Sequence, residues 1–296
     1  MPGFNLSIGI YEFPTYQSKK NTTSDYISGT GFSIKRFTLN KFENDKIFFE
    51  NDNFLIALEG VILNNHNLMQ KNESWLDAII RLYNQNGDAF FSKFKGSFSG
   101  IFYDKNQEKW IVFTDQIGSK HIYYSNLNDN LVFSSEIQQL YNLFKHYNLS
   151  YLLDEQAAYM LLSYGYMLDD NTLCSQIKKL LPGHYILIKD NKISSYKYFS
   201  LPEEYNESIS ESEAIEQIDV LFRQAIHLQF DKDIEYGYKH LVGLSGGLDS
   251  RMTSWIAHEM GYTNQLNFTF SQSDYLDETI PRSEEHTSEL QSRQVI

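Results

Sequence analysis

The chain has 296 residues, enough for two domains, and carries 25 basic against 38 acidic residues, a net charge of −13. No Lys/Arg run offers a footprint for nucleic acid, no apolar stretch approaches a membrane span, and the N-terminus lacks the basic and apolar regions of a secretory signal. One cysteine, Cys174, cannot form an internal disulfide, so a reducing cytoplasm is the expected compartment. Hydrophobic residues make up 42% and aromatic residues 15%, mostly Tyr and Phe, which suits strand-rich layers around a sizeable core.

Short strand patterns dominate the first half. Leu6, Ile8 and Ile10 alternate, Phe54 to Leu58 is apolar, and Ser97 to Tyr103, Lys109 to Thr114, His121 to Tyr124 and Leu131 to Ser134 read as a meander. Helices intervene. Ser74 with Asp77 resembles a capping box, with Leu76, Ile79, Ile80 and Tyr83 on one face and Gly87 past the end. A second helix is expected from Ser135 to Lys145, and a third from Asp154 to Gly165. Strands with one buried face and helices laid against them imply a layered α/β sandwich rather than an all-β barrel.

Leu201 to Ser210 is acidic and polar, a linker by composition. Ser210 with Glu213 forms a second capping box, followed by an apolar stripe of Ile215, Ile218, Phe222 and Ala225 that is expected to pack into a core. Leu241, Val242 and Leu244 then end a buried strand, and Ser245, Gly246 and Gly247 make a permissive loop. Asp249 to Met260 reads as a helix with Met252, Trp255 and Ile256 at helical spacing, and Leu266 to Phe270 as the next strand. A strand, a Gly-Gly loop and a helix N-terminus together make an anion site, because bare backbone N–H groups and the helix dipole favour negative charge. The G-K-[ST] ending of a P-loop is missing, since Asp249-Ser250 stands there.

The stretch S-G-G-L-D-S, Ser245 to Ser250, is similar to the pyrophosphate loop of the N-type ATP pyrophosphatases. Further landmarks precede it: F-K-G-S-F-S-G-I-F-Y-D (Phe94–Asp104), D-Q-I-G-S-K-H-I-Y-Y (Asp115–Tyr124), F-S-S-E-I-Q-Q-L (Phe133–Leu140) and T-L-C-S-Q-I-K-K-L-L-P-G-H (Thr172–His184). In this order they resemble the glutaminase half of the asparagine synthetase superfamily, over residues 1 to 281. The resemblance implies a layered αββα sandwich of the N-terminal-nucleophile-hydrolase kind over 1–200, a linker over 201–210, and over 211–281 the first βαβ part of an adenine-nucleotide α-hydrolase-like parallel sheet. It also implies nucleotide binding by Leu244, Ser245, Gly246, Gly247, Asp249 and Ser250, with ATP and Mg2+ as cofactors of the full-length parent. Tyr275–Thr279 looks like the family's acidic run; no metal ligand is assigned.

The departures from the family pattern carry as much information. Where the resemblance implies a cysteine nucleophile at position 2, the chain has Pro2. Where it implies an oxyanion-hole Asn, the chain has Glu59, beside a retained Gly60 and, further on, Asn64. Val61 replaces an acidic ligand, Trp75 replaces an Asp for the substrate's amino group, and Lys35 and Arg36 lie where the family's Arg-Gly-Pro-Asp segment has no counterpart. No catalytic residue of the glutaminase is therefore expected to be intact, and Cys174 reads as a small buried or half-buried side chain rather than a replacement nucleophile.

The function this implies is an ATP-dependent amide ligase that adenylates a carboxylate, releases pyrophosphate and accepts an amine, without its own glutaminase activity. The carboxylate would belong to a small molecule or a peptide, and a homodimer is an option. Two alternatives stay open: a true asparagine synthase supplied with ammonia, and a non-catalytic binding or scaffold module. From Arg282 to Ser292 the sequence reads as a translated sequencing adapter, so 282–296 is expected to be non-native and the ligase half incomplete and inactive. His286 and its neighbouring glutamates are accordingly not read as a metal site.

Overall fold

The computed structural model describes residues 2–14, 22–190, 192–202, 208–245 and 247–269. Gly246, Phe270, Tyr275–Thr279 and the whole stretch 282–296 lie outside the described residues. The chain divides into two compact units, Met1–Pro202 and Glu203–Ile296.

In the first unit the strands are β1 (Gly3–Ile8), β2 (Thr23–Gly29), β3 (Phe32–Thr38), β4 (Ile47–Glu50), β5 (Phe54–Ile62), β6 (Gly96–Asp104), β7 (Lys109–Thr114), β8 (Tyr123–Leu127), β9 (Asn130–Ser134), β10 (Lys178–Lys179), β11 (His184–Lys189) and β12 (Lys192–Lys197). They form two six-stranded antiparallel sheets, ordered β10-β8-β9-β1-β3-β2 and β12-β11-β7-β6-β5-β4. The helices are α1 (Asn65–Leu68), α2 (Trp75–Asn86), α3 (Ile137–His146) and α4 (Glu155–Tyr164), with 3-10 turns at Glu43–Asp45 and Gly87–Lys93.

Three apolar clusters show how the layers stack. Phe4, Leu6 and Ile34 of the first sheet meet Leu55, Ala57, Ile101, Val112 and Ile186 of the second. On the outer face of the second sheet, Ile56, Leu58, Phe102, Ile111 and Phe113 pack on α2 and the Gly87–Lys93 turn. On the outer face of the first sheet, Val132 packs on Leu140, Leu143 and Phe144 of α3. The period-two alternation of the strands puts Leu55 and Ala57 inward and Ile56 and Leu58 outward, giving an αββα sandwich.

Local signals explain most helix ends. Ser74 Oγ accepts a hydrogen bond from Asp77 N at 3.1 Å, and Asp154 Oδ1 accepts one from Ala157 N at 2.9 Å. The buried stripe of α2 is Trp75, Ala78, Ile79, Leu82 and Tyr83, rotated from the expected Leu76, Ile79, Ile80 and Tyr83 because Trp75 turns inward. Helix α3 starts two residues later than Ser135. Ser135 still serves the sheet, donating its N–H to Phe4 O at 2.9 Å and accepting Phe4 N on its hydroxyl at 3.0 Å. Ile10 does not continue β1 and is exposed.

In the second unit, α5 (Glu211–Glu235) begins at the Ser210–Glu213 capping box. Strand β13 (His240–Gly243), helix α6 (Leu248–Glu259) and parallel strand β14 (Gln265–Phe268) follow as one βαβ unit. Ile226 and Phe230 of α5, Val242 of β13, and Ile256 and Ala257 of α6 make its core. The expected stripe is not the packed one: Ile215 and Ile218 are 61% and 60% exposed, because the contacts run through the C-terminal half of α5. Leu241 and Leu266 point to the sheet face opposite the helices and are exposed. Among the described residues no helix is long and apolar enough to cross a membrane.

The Phe91 ring is fully buried and stacked on Phe113 at 4.1 Å between centroids. Phe91→Ala should cost about 3–5 kcal/mol in urea unfolding of the first unit. A loss below about 1 kcal/mol would contradict this packing.

Candidate functional site

The candidate site lies at one end of the layer between the two sheets. On β3, Ile34, Arg36 and Thr38 share the inward face; on β5, Leu55, Ala57 and Glu59 do the same. The β1–β3 register pairs Phe4 with Arg36 and Gly3 with Phe37, so one further step sets Pro2 opposite Thr38. Pro2, Arg36, Thr38 and Glu59 thus gather at the same end of the sandwich. Pro2 offers no nucleophilic atom on its side chain.

Glu59 is 1% exposed, and neither carboxylate oxygen has a hydrogen bond of ordinary geometry. Two cations face it. Arg36 Nε lies 3.9 Å from Oε1 and Lys46 Nζ lies 3.7 Å from Oε2, with side chains 16% and 8% exposed. Each cation has other anchors. Arg36 donates from Nε and Nη2 to Asp25 Oδ2 at 3.0 and 2.6 Å, and its guanidinium lies over the Phe48 ring. Lys46 donates to Thr38 Oγ1 at 3.1 Å and to Leu39 O at 2.8 Å.

Burial pushes the Glu59 carboxyl above its ordinary 4.5, with Thr38, Lys46, Arg36 and Lys120 pulling it back. Burial also pulls the Lys46 ammonium below its ordinary 10.5, opposed by Glu59 and reinforced by Arg36 and Lys120. In its ionised form Glu59 offers only acceptor oxygens to a developing oxyanion.

The neighbouring sequence positions serve packing. Gly60 has φ +130°, and a Cβ there would run into the Ser97 carbonyl, so glycine is required where β5 passes β6. Val61 continues β5. Asn64 accepts from Lys95 N at 2.8 Å and donates to Lys93 O at 3.0 Å, closing the loop before α1. Trp75 is buried and donates from Nε1 to Asp45 O at 3.1 Å. Lys35 lies on the opposite face of β3, over the Phe37 ring. Cys174 is half-buried, bridged to Leu153, with Sγ 3.5 Å from Gln176 Oε1.

In the second unit, Leu244 N donates to Phe268 O at 2.8 Å and carries the chain into the loop. Ser245 N donates to Ser250 Oγ at 3.0 Å, the two hydroxyls lie 3.0 Å apart, and Gly247 N donates to Ser245 Oγ at 3.2 Å. Gly247 caps α6 without a side-chain hydrogen bond, and Asp249 lies in the first turn. An uncapped helix start of this kind, ringed by two hydroxyls, can accept a phosphate oxygen. Among the described residues no group of three or more His, Cys, Asp or Glu side chains is arranged to hold a metal ion.

Arg36 and Lys46 were not legible as partners of Glu59, nor Asp25 as the partner of Arg36, because they come from β3, the turn before β4 and β2. The parity of β3 and β5 about Ile34 and Ala57 was the signal available.

The sign of the Glu59 shift sets a pH dependence. Its folded pKa is raised, so its contribution to stability is fully present below about 4.5, the unfolded value, and is lost as pH rises through the folded value. The stability of the wild type relative to Glu59→Gln should therefore fall as pH rises above about 4.5, measured by urea titrations across the acid to neutral range. A relative stability that is flat or rises over that window would contradict the assignment.

A family model described as a glutamine amidotransferase domain matches residues 39–199. The chain is 26% identical over 297 aligned residues to asparagine synthetase [glutamine-hydrolyzing] 2 of Bacillus subtilis (strain 168), covering 92% of this chain and 39% of that protein. It is 26% identical over 179 residues to amidase chry2 of Gibberella zeae, covering 59% of this chain and 25% of that one. The chain thus spans well under half the length of these relatives. Among solved structures it is similar to the glutamine phosphoribosylpyrophosphate amidotransferase from B. subtilis, with 13% identity, a TM-score of 0.36, and coverage of 86% of this chain and 56% of that one. With more than half of its residues matched, the chain belongs to the glutamine amidotransferase domain family.

Proposed function

We propose that the chain is part of an ATP-dependent amide ligase similar to the asparagine synthetases, and that its amidotransferase unit does not hydrolyse glutamine. The observation that carries the second half is Glu59: a buried carboxylate, facing two cations, at the position beside Gly60 where an oxyanion donor is expected. Pro2 at the entry to β1 supplies no thiol for a covalent intermediate. The unit then serves to pack against or present substrates rather than to generate ammonia.

The ligase half of the proposal rests on the relatives' names and on the loop at Ser245–Ser250. The uncapped start of α6 and the hydroxyls of Ser245 and Ser250 support a role in holding the phosphates of ATP, and Asp249 in the first turn would offer a carboxylate to Mg2+. When bound, ATP supplies the activation of a carboxylate with release of pyrophosphate. The acid, from a small molecule or a peptide, would then accept an amine; homodimer formation and a cytoplasmic setting belong to the same proposal. A second reading, an asparagine synthetase supplied with ammonia, is favoured by the names of the relatives and shares this ligase chemistry.

Two measurements test the proposal. Purified protein incubated with glutamine should release no ammonia above a Cys174→Ser control; turnover that depends on Cys174, or on the N-terminal residue, overturns the non-hydrolysing reading. In the complete ligase, Asp249→Ala should abolish ATP–pyrophosphate exchange while leaving far-UV circular dichroism unchanged. Exchange at the wild-type rate would make the loop structural and favour a non-catalytic module.

A further inference from the structure

The ion cluster in the first unit has an unusual division of labour. Arg36 is held by Asp25, and Lys46 is held by Thr38 and the Leu39 carbonyl, so both cations are fixed by groups other than Glu59. Glu59, by contrast, lies 3.9 and 3.7 Å from its cations, has no hydrogen bond of ordinary geometry on either oxygen, and is otherwise steadied by the neighbouring Thr38 hydroxyl. A carboxylate that built this cluster would close on it with short, charge-assisted bonds. This one occupies a cradle that is already assembled. The cations come from β3 of one sheet and from the segment entering β4 of the other, and Lys120 adds further positive potential. Both principal cations are largely withdrawn from water, which strengthens their demand for a counter-anion.

We propose that Glu59 is an internal ligand: its carboxylate fills a preformed two-cation cradle, made by Arg36 and Lys46, that is suited to the carboxylate of a small free acid, and it keeps the unit closed to such acids. The inference deepens the reading of this unit as non-hydrolysing. It replaces a passive loss of catalytic groups with an active occlusion of the site. Shortening Glu59 to alanine removes the tethered carboxylate and leaves the cations where Asp25, Thr38 and Leu39 hold them. The vacated volume and charge match formate or acetate, whose single carboxylate reproduces what was removed. Glu59→Gln fills the same volume without charge and leaves no room for either.

The test is thermal unfolding of the wild type, Glu59→Ala and Glu59→Gln in increasing sodium formate or sodium acetate, each against sodium chloride at matched ionic strength. Glu59→Ala should show a saturable rise in Tm with the carboxylates beyond the chloride control, while the wild type and Glu59→Gln follow chloride alone. An identical response of Glu59→Ala to acetate and chloride overturns the proposal, as does a wild type that responds as strongly as Glu59→Ala. If Glu59→Ala accumulates no folded protein at any acetate concentration, Lys46→Met in the Glu59→Gln background decides. With Glu59 neutral, Lys46 faces Arg36 with no carboxylate of its own, so removing its charge should raise Tm above that of Glu59→Gln; a double variant melting at or below that single variant contradicts the cradle. Ammonia release from glutamine by the wild type would sink the non-hydrolysing reading whatever acetate does, so the two claims fail separately.

Discussion

Two antiparallel sheets press their apolar faces together in the first unit, and everything at the candidate site depends on what that contact tolerates. Along most of its length the layer is filled by Phe4, Leu6, Ile34, Leu55, Ala57, Ile101 and Val112. The same strand parity that sends these side chains inward also sends Arg36, Thr38 and Glu59 inward at one end. A buried carboxylate is costly unless compensated, and two cations lie within 4 Å of it. The pair distances are long because Asp25, Thr38 and the Leu39 carbonyl already take the shorter bonds of Arg36 and Lys46.

This arrangement ties the chemistry to the fold. An amidotransferase site needs a nucleophile and hydrogen-bond donors aimed at a developing oxyanion. Here the end of the sandwich offers Pro2 at the start of β1 and a carboxylate next to Gly60. Gly60 and Asn64 are both accounted for by the backbone, a φ of +130° in one case and a loop closed by two hydrogen bonds in the other. A residue that matches a family pattern can therefore serve packing, and does not by itself mark activity.

The sandwich class was legible because the strands at Phe54, Ser97, Lys109 and Leu131 carry strong apolar patterns and because Ser74, Asp154 and Ser210 announce helix starts. Strands β2, β3, β4, β10, β11 and β12 were not read: half-exposed polar sequences such as Thr23–Gly29 and Lys192–Lys197 lack alternation, and all six are held by their neighbours in the sheets. Helix α5 misled in a different way: Ile215 and Ile218 keep a helical spacing while remaining exposed, because the packed contacts begin at Phe222. At the site, Pro2, Glu59 and Gly60 were readable one at a time, but their association with Arg36 and Lys46 requires the register of β1 on β3 and the facing of the two sheets. No local pattern encodes either.

The most direct test of the account is a titration of L-glutamine and L-glutamate into the wild-type chain, followed by calorimetry and by the NMR signals of the first unit. A site already filled by the Glu59 carboxylate predicts no saturable heat and no shifts around β1, β3 and β5 for either amino acid. Saturable binding that perturbs residues at that end of the sandwich, and that is lost when Arg36 is replaced by methionine, would contradict it.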